Sequence, residues 1–285
     1  MLLAEFIRDS VSQLEKIYPS PEARGMVLMV CEEKLGVKSY THVIEPLTPV
    51  PEDRLDELSG CVARLLRNEP VQYVLGFGEF CGRRFRVAPG VLIPRPETEE
   101  LATMALEALR SCGPGARAVD LCTGSGCIAW TLKLGAPDCD VLAVDLSDDA
   151  LGIAASQNFS PSPSFIRADV LDPDCLADCG TFDVLVSNPP YVMECEKSQM
   201  RANVLDYEPS MALFVPDDDP LVFYRALSAL AGRLLKPSGR GFLEINESLP
   251  DRTLSLFEAS GFSDCRIIDD FRGRKRFVSF EKPAL

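Results

Sequence analysis

From residue 118 onward, short apolar strands alternate with helical patterns, and this alternation limits the fold more than any other feature of the sequence. The expected strands are 118–121, 141–144, 165–168, 182–187 and 241–245, and the expected helices are 127–134, 148–157, 221–235 and 250–260. Such alternation predicts an α/β domain with a doubly wound, mostly parallel sheet, whose ligands bind at the carboxyl ends of the strands. Two late strands on either side of the polar turn 272–275 predict an antiparallel edge.

The beginning of the chain carries helical periodicity instead. The expected helices are 2–14, 21–35 and about 55–66. Helices of this length are marginal alone, so we expect residues 1–75 to form a small helical bundle. The alternating pattern of 76–93 predicts a β-hairpin linker. The α/β domain then covers 94–285, and its first helix begins at Pro96, since proline suits a first helical turn.

The composition narrows the possible functions. The formal net charge is −14, whereas proteins that bind nucleic acid through phosphates need a basic face, so a small-molecule or protein substrate is favoured. The single histidine, His42, and eleven cysteines without a Cys-x-x-Cys pair give no pattern for a metal site or a histidine triad. No apolar stretch has membrane-spanning length, and the charged N-terminus is unlike a signal peptide. We expect a cytoplasmic monomer without a metal.

A glycine-containing loop, Asp120-Leu121-Cys122-Thr123-Gly124-Ser125-Gly126, connects the first of these strands to its helix. Glycine lets the backbone approach a ligand closely, and the N-terminus of a helix offers free N–H groups. Gly124 and Gly126 also fit the dinucleotide-binding pattern, so the loop alone does not choose between cofactors.

Three acidic residues at the ends of neighbouring strands narrow that choice. Asp120 precedes the glycines, where a carboxylate can hold the cationic amino-acid end of S-adenosylmethionine. Asp145 can accept both ribose hydroxyls, and Asp169 can accept from the adenine amino group. A dinucleotide site would share Asp145 but would not require Asp120. S-adenosylmethionine is therefore the predicted cofactor, and a helix cap or a solvated aspartate is the alternative for each acid.

The tetrapeptide Asn188-Pro189-Pro190-Tyr191 follows the apolar strand 182–187, and its prolines alone would only end a strand. An amide nitrogen is a poor nucleophile because its lone pair is delocalised. The Asn188 side-chain oxygen and the Pro189 carbonyl could each accept one N–H of such a group and aim its lone pair at a methyl donor. Tyr191 could pack on the flat substrate group. We predict methyl transfer to a planar amide-type nitrogen, with all four residues catalytic.

This tetrapeptide resembles that of the amino-methyltransferases, and the whole chain is similar to the protein-(glutamine-N5) methyltransferases that modify peptide chain release factors. The segments that carry the resemblance are 70–76, 91–99, 120–126, 187–191, 207–209, 212–213 and 270–276. The resemblance implies a class I S-adenosylmethionine-dependent methyltransferase fold, Rossmann-like and seven-stranded, behind an N-terminal helical domain. The implied substrate is the glutamine of a Gly-Gly-Gln motif in the release factor, and the cofactor product is S-adenosylhomocysteine.

The resemblance also implies roles for individual residues. The cofactor contacts, together with Asp120 and Asp169, are Cys122, Thr123, Gly124, Ser125, Gly126, Asp145, Val170 and Asn188. Leu92, Ile93 and Arg95 would line the substrate pocket, and a salt bridge to a nearby glutamate is the alternative role of Arg95. The sequence departs from the family at Cys122, where glycine is usual, and at 214–220, which replaces a Gly-Gly-x-Asp-Gly segment.

Three other functions stay open. A glutamine methyltransferase acting on a ribosomal protein shares the architecture and the tetrapeptide. A nucleic-acid adenine-N6 methyltransferase predicts a basic face around the pocket. A non-catalytic binding domain predicts that Asn188→Ala leaves the function intact. In the favoured interpretation, residues 1–75 dock the protein substrate and raise its effective concentration at the pocket.

Overall fold

The computed structural model describes residues 1–284. Its helices are α1 Leu3–Leu14, α2 Ser20–Leu35, α3 Thr41–Ile44, α4 Glu52–Leu65, α5 Val71–Leu75, α6 Pro96–Cys112, α7 Cys127–Gly135, α8 Asp148–Ala155, α9 Ala202–Leu205, α10 Val222–Leu234 and α11 Pro250–Ala259. Its strands are β1 Phe77–Phe80, β2 Arg83–Arg86, β3 Arg117–Leu121, β4 Asp140–Asp145, β5 Ser164–Arg167, β6 Phe182–Ser187, β7 Val192–Met193, β8 Phe214–Val215, β9 Leu235–Glu244, β10 Ser263–Asp269 and β11 Lys275–Glu281. None of the helices in this described part of the chain is long and apolar enough to cross a bilayer.

The chain divides into two compact units. Unit 1 contains Met1–Gly76 and Arg201–Tyr207, and unit 2 contains Phe77–Met200 and the chain from Glu208 onward. Nothing in the sequence pattern predicts that 201–207 belongs to unit 1.

Unit 1 is a helical bundle. The apolar residues of α1, α2 and α4 pack into one core, which includes Leu14, Val27 and Leu58, each fully buried. The segment 201–207 is held within this unit by a hydrogen bond from the Tyr207 hydroxyl to the Arg67 carbonyl (2.6 Å) and by the ion pair of Arg201 with Glu22. The bundle contains two short helices, α3 and α5, that the periodicity does not predict.

Unit 2 is built on a seven-stranded sheet with the order β10-β11-β9-β6-β3-β4-β5. The strands from β9 to β5 are parallel, whereas β11 pairs antiparallel with both β9 and β10. The predicted doubly wound fold with an antiparallel edge is therefore confirmed. Because β4 lies on one side of β3 and β6 on the other, the strand order reverses at β3, and a crevice opens at the carboxyl ends of these strands.

Side chains of successive strand residues point to opposite faces of the sheet, which produces two separate cores. On β3, Ala118 packs in the core that includes α6 and α7, and Val119 and Leu121 pack in the core that includes α10 and α11. Trp130 anchors the first core, and Tyr224 is fully buried in the second. Both faces of the sheet are therefore covered, which leaves the strand ends as the accessible edge for a ligand.

Two elements differ from their predicted bounds. The hairpin is shorter than predicted, and its strands β1 and β2 are joined by a tight turn in which Cys81 and Gly82 both adopt positive φ (48° and 69°). The strand predicted from 241 begins instead at Leu235, so that prediction is wrong. Pro237 and Gly239 lie in an irregularity of this strand, where the single residue between Phe182 and Val184 of β6 faces four residues between Leu235 and Arg240 of β9.

Candidate active site

The glycine loop between β3 and α7 contains three residues with left-handed backbone. Their φ values are +62° at Cys122, +55° at Gly124 and +79° at Gly126. A Cβ at Gly126 would lie 3.0 Å from both Ala154 and Trp130, whereas a Cβ at Gly124 would meet open space. Gly126 is thus required by packing as well as by its dihedral angle. At Cys122 a side chain occupies a left-handed conformation that favours glycine, the residue that the resemblance implies at this position.

Asp120 lies beneath this loop. Its carboxylate is fully buried, and one oxygen accepts hydrogen bonds from the Thr123 hydroxyl (2.6 Å) and the Ala129 N–H (3.0 Å). The other oxygen, Oδ1, is buried without a hydrogen-bond partner in residues 1–284. Burial raises the pKa of Asp120 to about 7, against the effect of these two hydrogen bonds. The carboxylate therefore braces the loop from below.

A cavity of about 160 Å³, here called the large cavity, opens between the loop and the ends of β4 and β6. The predicted residues that line it are Leu92, Ile93, Arg95, Cys122, Thr123, Gly124, Ser125, Asp145, Asp169, Val170, Asn188 and Pro190. Asn188, Leu92 and Arg95 also line an adjoining cavity of about 60 Å³, here called the small cavity, together with Pro189 and Tyr191. Two predicted cofactor residues, Asp120 and Gly126, line neither cavity.

The large cavity has two acidic residues on its wall. Asp145 accepts the Gly124 N–H at one carboxylate oxygen (2.8 Å) and the Ser147 N–H at the other (3.0 Å). Asp169 accepts the Leu171 N–H (2.9 Å). Each carboxylate oxygen offers about two acceptor positions, so both oxygens of Asp145 can accept a further donor from the cavity.

Arg95 is the cationic residue on the walls of the two cavities, and it is paired. Its guanidinium contacts Glu208 at 2.5 Å, and Glu208 also accepts the Ile93 N–H at 3.0 Å. The Glu208 side chain is 1% exposed, so the ion pair is shielded on one side. Arg95 therefore forms the salt bridge that the sequence analysis gives as its alternative role. Its partner, Glu208, is close in space but 113 positions away in the sequence.

The tetrapeptide that follows β6 is held by three side chains. The Asn188 amide Nδ2 donates to the Thr98 hydroxyl at 3.2 Å. The Tyr191 hydroxyl donates to Glu244 at 2.8 Å, and the Tyr191 carbonyl accepts from the Asn246 amide at 3.0 Å. Within the described residues, neither the Asn188 side-chain oxygen nor the Pro189 carbonyl accepts a hydrogen bond. Two free acceptors thus stand at the wall of the small cavity.

Burial and the neighbouring carboxylate of Glu244 raise the pKa of Tyr191 well above its usual range. The phenol therefore keeps its proton and remains a donor toward Glu244. Burial also raises the pKa of Glu244, and the hydrogen bonds from Thr98 and Tyr191 oppose that shift.

Four supporting residues are absent from the sequence-based prediction, namely Thr98, Gln157, Glu208 and Glu244. Gln157 binds both backbone groups of Arg86 and donates to the Ser125 carbonyl at 3.2 Å, so it ties the loop to β2. Glu244 could have been predicted from the sequence, because it is an acidic residue at the end of a strand, β9. Asp120 and Asp145 are predicted from the same feature at the ends of β3 and β4. The other three contacts join distant positions and leave no local pattern.

Comparison with known proteins identifies relatives of the whole chain and of its fold. Family models match residues 5–76 as the PrmC N-terminal domain and residues 97–206 as the methyltransferase small domain. The release factor glutamine methyltransferase of Bacteroides thetaiotaomicron is 42% identical over 280 residues, which cover 97% of this chain and 98% of that protein. The Flavobacterium psychrophilum protein of the same name is 35% identical, with 98% of both chains covered. A solved methyltransferase from Pyrococcus furiosus shares the fold, with 19% identity and a TM-score of 0.51 over 79% of this chain and 99% of that one.

Proposed function

The chain belongs to the release factor glutamine methyltransferase family, and on that premise we propose that it methylates the glutamine of the Gly-Gly-Gln motif in a peptide chain release factor. The methyl group comes from S-adenosylmethionine and is placed on the side-chain amide nitrogen. The observation that carries the proposal is the pair of free acceptors, the Asn188 side-chain oxygen and the Pro189 carbonyl, beside the small cavity.

The residues of the large cavity fit S-adenosylmethionine. Asp145 can accept the two ribose hydroxyls, and Asp169 can accept from the adenine amino group. The wall carries two carboxylates, and its one cation, Arg95, is already paired with Glu208. This balance favours a cationic cofactor and opposes the diphosphate of a dinucleotide. When bound, S-adenosylmethionine supplies an electrophilic methyl group.

Asp120 has a different role from the direct contact expected of it. Because its carboxylate lies under the loop and outside both cavities, we assign it to positioning Thr123 and the start of α7. Gly126 has a similar supporting role, since its missing side chain permits the close approach of Ala154. The remaining cofactor assignments, which include Cys122, Ser125 and the others on the cavity wall, are kept.

The tetrapeptide prepares the substrate nitrogen. A glutamine amide has two N–H groups, and Asn188 and Pro189 can each accept one of them. With both hydrogens held, the nitrogen lone pair is left free to attack the methyl group, and the two acceptor dipoles stabilise the positive charge that develops on nitrogen until one of its N–H protons is lost. The rigid prolines keep this geometry without adding donors, and Tyr191 packs beside the flat amide.

The same wall disfavours nucleic acid as substrate. The charged residues around the two cavities are Asp145, Asp169, Glu244 and the paired Arg95. A phosphate backbone needs unpaired cations near the site, and these walls supply none within the described residues. A ribosomal-protein glutamine would still fit the small cavity, so substrate identity must be tested directly.

For the protein substrate we propose a docking surface on unit 1. Four large apolar residues of one short segment are between 57% and 79% exposed, namely Tyr40, Val43, Ile44 and Leu47. Clustered exposed apolar residues are unusual on a monomer and mark interaction sites. The family relatives are named for a protein substrate, a release factor, which is the partner that we assign to this surface.

Variants of this surface test the assignment. Ile44→Ser combined with Leu47→Ser should raise KM for the release factor roughly tenfold and leave kcat at saturation unchanged, since about 1–2 kcal/mol of apolar contact is lost. Ile17→Ser, at an exposed apolar residue outside the segment, is the matched control. If the double variant keeps the wild-type KM, as the control should, the surface is not the docking site.

The decisive experiment for the reaction is mass spectrometry of a release factor after incubation with the protein and S-adenosylmethionine. We expect one added methyl group on the Gly-Gly-Gln glutamine. Asn188→Ala should reduce turnover at least 100-fold while cofactor affinity changes less. Methylation of ribosomal proteins alone would overturn the substrate, and full activity of Asn188→Ala would overturn the mechanism.

A further inference from the structure

We infer that Thr98 and Glu244 are positioning residues that set the orientation of the Asn188 amide, so that its oxygen and not its NH₂ group faces the substrate. This inference rests on the proposed role of Asn188 as an acceptor. The three residues come from the first turn of α6, the end of β9 and the segment after β6.

Glu244 is the fixed end of this hydrogen-bonded chain. It is 2% exposed, and its two carboxylate oxygens accept from the Thr98 hydroxyl (2.7 Å) and the Tyr191 hydroxyl (2.8 Å). Both hydrogen bonds run from the hydroxyl to the carboxylate, so Glu244 acts as the acceptor for Thr98 and for Tyr191. Arg276 lies near enough to favour the ionised form electrostatically, which offsets part of the cost of burial.

The direction of donation then passes from Glu244 to Asn188. A threonine hydroxyl has one proton, and the Thr98 hydroxyl donates that proton in its hydrogen bond to Glu244. The Thr98 oxygen can therefore only accept from Asn188, which must present its NH₂ group at 3.2 Å. The amide oxygen of Asn188 is left on the opposite side, toward the cavities that this residue lines.

If the Asn188 amide were rotated by 180°, so that its oxygen and NH₂ group changed places, it would make two unfavourable contacts. Its oxygen would face the lone pairs of Thr98, and its NH₂ group would face the N–H groups of the substrate amide. An amide has no intrinsic preference between these orientations, because its oxygen and nitrogen ends have almost the same shape. Glu244 and Thr98 supply the preference, and they also hold Tyr191 through the second carboxylate oxygen.

The position of Glu244 follows from the sheet register. Ser187 of β6 pairs with Leu243 of β9. The residues that follow this pair, Asn188 after Ser187 and Glu244 after Leu243, are therefore neighbours. Successive strand residues alternate in direction, and Thr98 of α6 bridges the remaining gap between the two side chains.

Two substitutions at Thr98 test the inference. Thr98→Val keeps the shape but removes the hydroxyl, and we expect kcat to fall about 10- to 100-fold because the substrate amide loses its fixed acceptor. The Kd of S-adenosylmethionine should change much less than kcat, because Asn188 is only one of the many residues assigned to the cofactor on the wall of the large cavity. Thr98→Ser keeps the hydroxyl and should restore most of kcat. Equal losses in Thr98→Val and Thr98→Ser, or full kcat in Thr98→Val, would overturn the inference.

A second measurement does not depend on activity. Hydrogen exchange of the Asn188 side-chain NH₂ group, assigned by comparison with Asn188→Asp in NMR spectra, reports its hydrogen bond directly. We expect slow exchange in the wild-type protein and in Thr98→Ser, and faster exchange in Thr98→Val. Unchanged exchange in Thr98→Val would refute the chain of donors. If the wild-type protein methylates no release factor, the proposed function fails, and the exchange result still decides the orientation.

Discussion

Asp120 gives a prediction whose sign is opposite to that of most aspartates. Its pKa is raised by burial from 3.8 to about 7, whereas the unfolded chain keeps a value near the ordinary one. The folded protein therefore binds the proton more tightly than the unfolded chain. At 1.36 kcal/mol for each pKa unit, the ionised carboxylate costs the folded state up to roughly 4 kcal/mol.

The pH window follows from these two values. Below the unfolded pKa, both states are protonated and Asp120 contributes no pH dependence. As the pH rises from about 4 to about 7, the folded state loses stability from this group, and above pH 7 the loss is complete. Asp120→Asn does not titrate. Its free energy of unfolding, relative to that of the wild type, should rise between pH 5 and pH 8 by a few kcal/mol.

Urea unfolding of both proteins at pH 5 and pH 8 measures this difference, because the other titrating groups are common to both and cancel. The absolute stability of the variant is not the test, since its NH₂ group can be left unpaired where Asp120 Oδ1 has no partner, at a cost of about 1–3 kcal/mol at every pH. Asp140→Asn, at an exposed aspartate of β4, is the matched control. A stability difference that is the same at both pH values would refute burial as the dominant influence on Asp120.

Three further predictions separate packing, charge and hydrogen bonding in unit 2. Gly126→Ala should destabilise the protein by about 2–3 kcal/mol in thermal unfolding, because its Cβ meets Ala154 at 3.0 Å in a left-handed backbone, whereas Gly124→Ala should cost only about 1 kcal/mol. Arg95→Ala should cost about 3 kcal/mol in urea unfolding by leaving a buried carboxylate unpaired, and the loss should shrink when Glu208→Gln is added. Tyr191→Phe should lower kcat about tenfold with little change in cofactor Kd, and equal kcat would argue against its hydroxyl anchoring the tetrapeptide.

Much of the fold could be predicted because its information is local. Strands such as β6 stand out as uninterrupted apolar runs, and a parallel strand covered on both faces needs such a run. The strand β9 was harder to predict, because Pro237 and Gly239 usually end a strand and here occupy an irregularity in the pairing with β6. The pairing of β9 with β6 therefore outweighs the low strand propensity of Pro237 and Gly239.

The sequence by itself determined the order of the elements, the glycine loop and the tetrapeptide. Periodicity of apolar residues, a backbone that needs glycine, and an amide beside two prolines are properties of adjacent residues, so they can be read without the fold. The tertiary structure alone decided which side chains support them. Thr98 lies 90 positions from Asn188 and 146 from Glu244, and Arg95 lies 113 from Glu208. A hydrogen bond depends on distances within about 3 Å and on direction, and only the packing of the sheet and the loop that carries Glu208 around the start of α6 brings these groups that close.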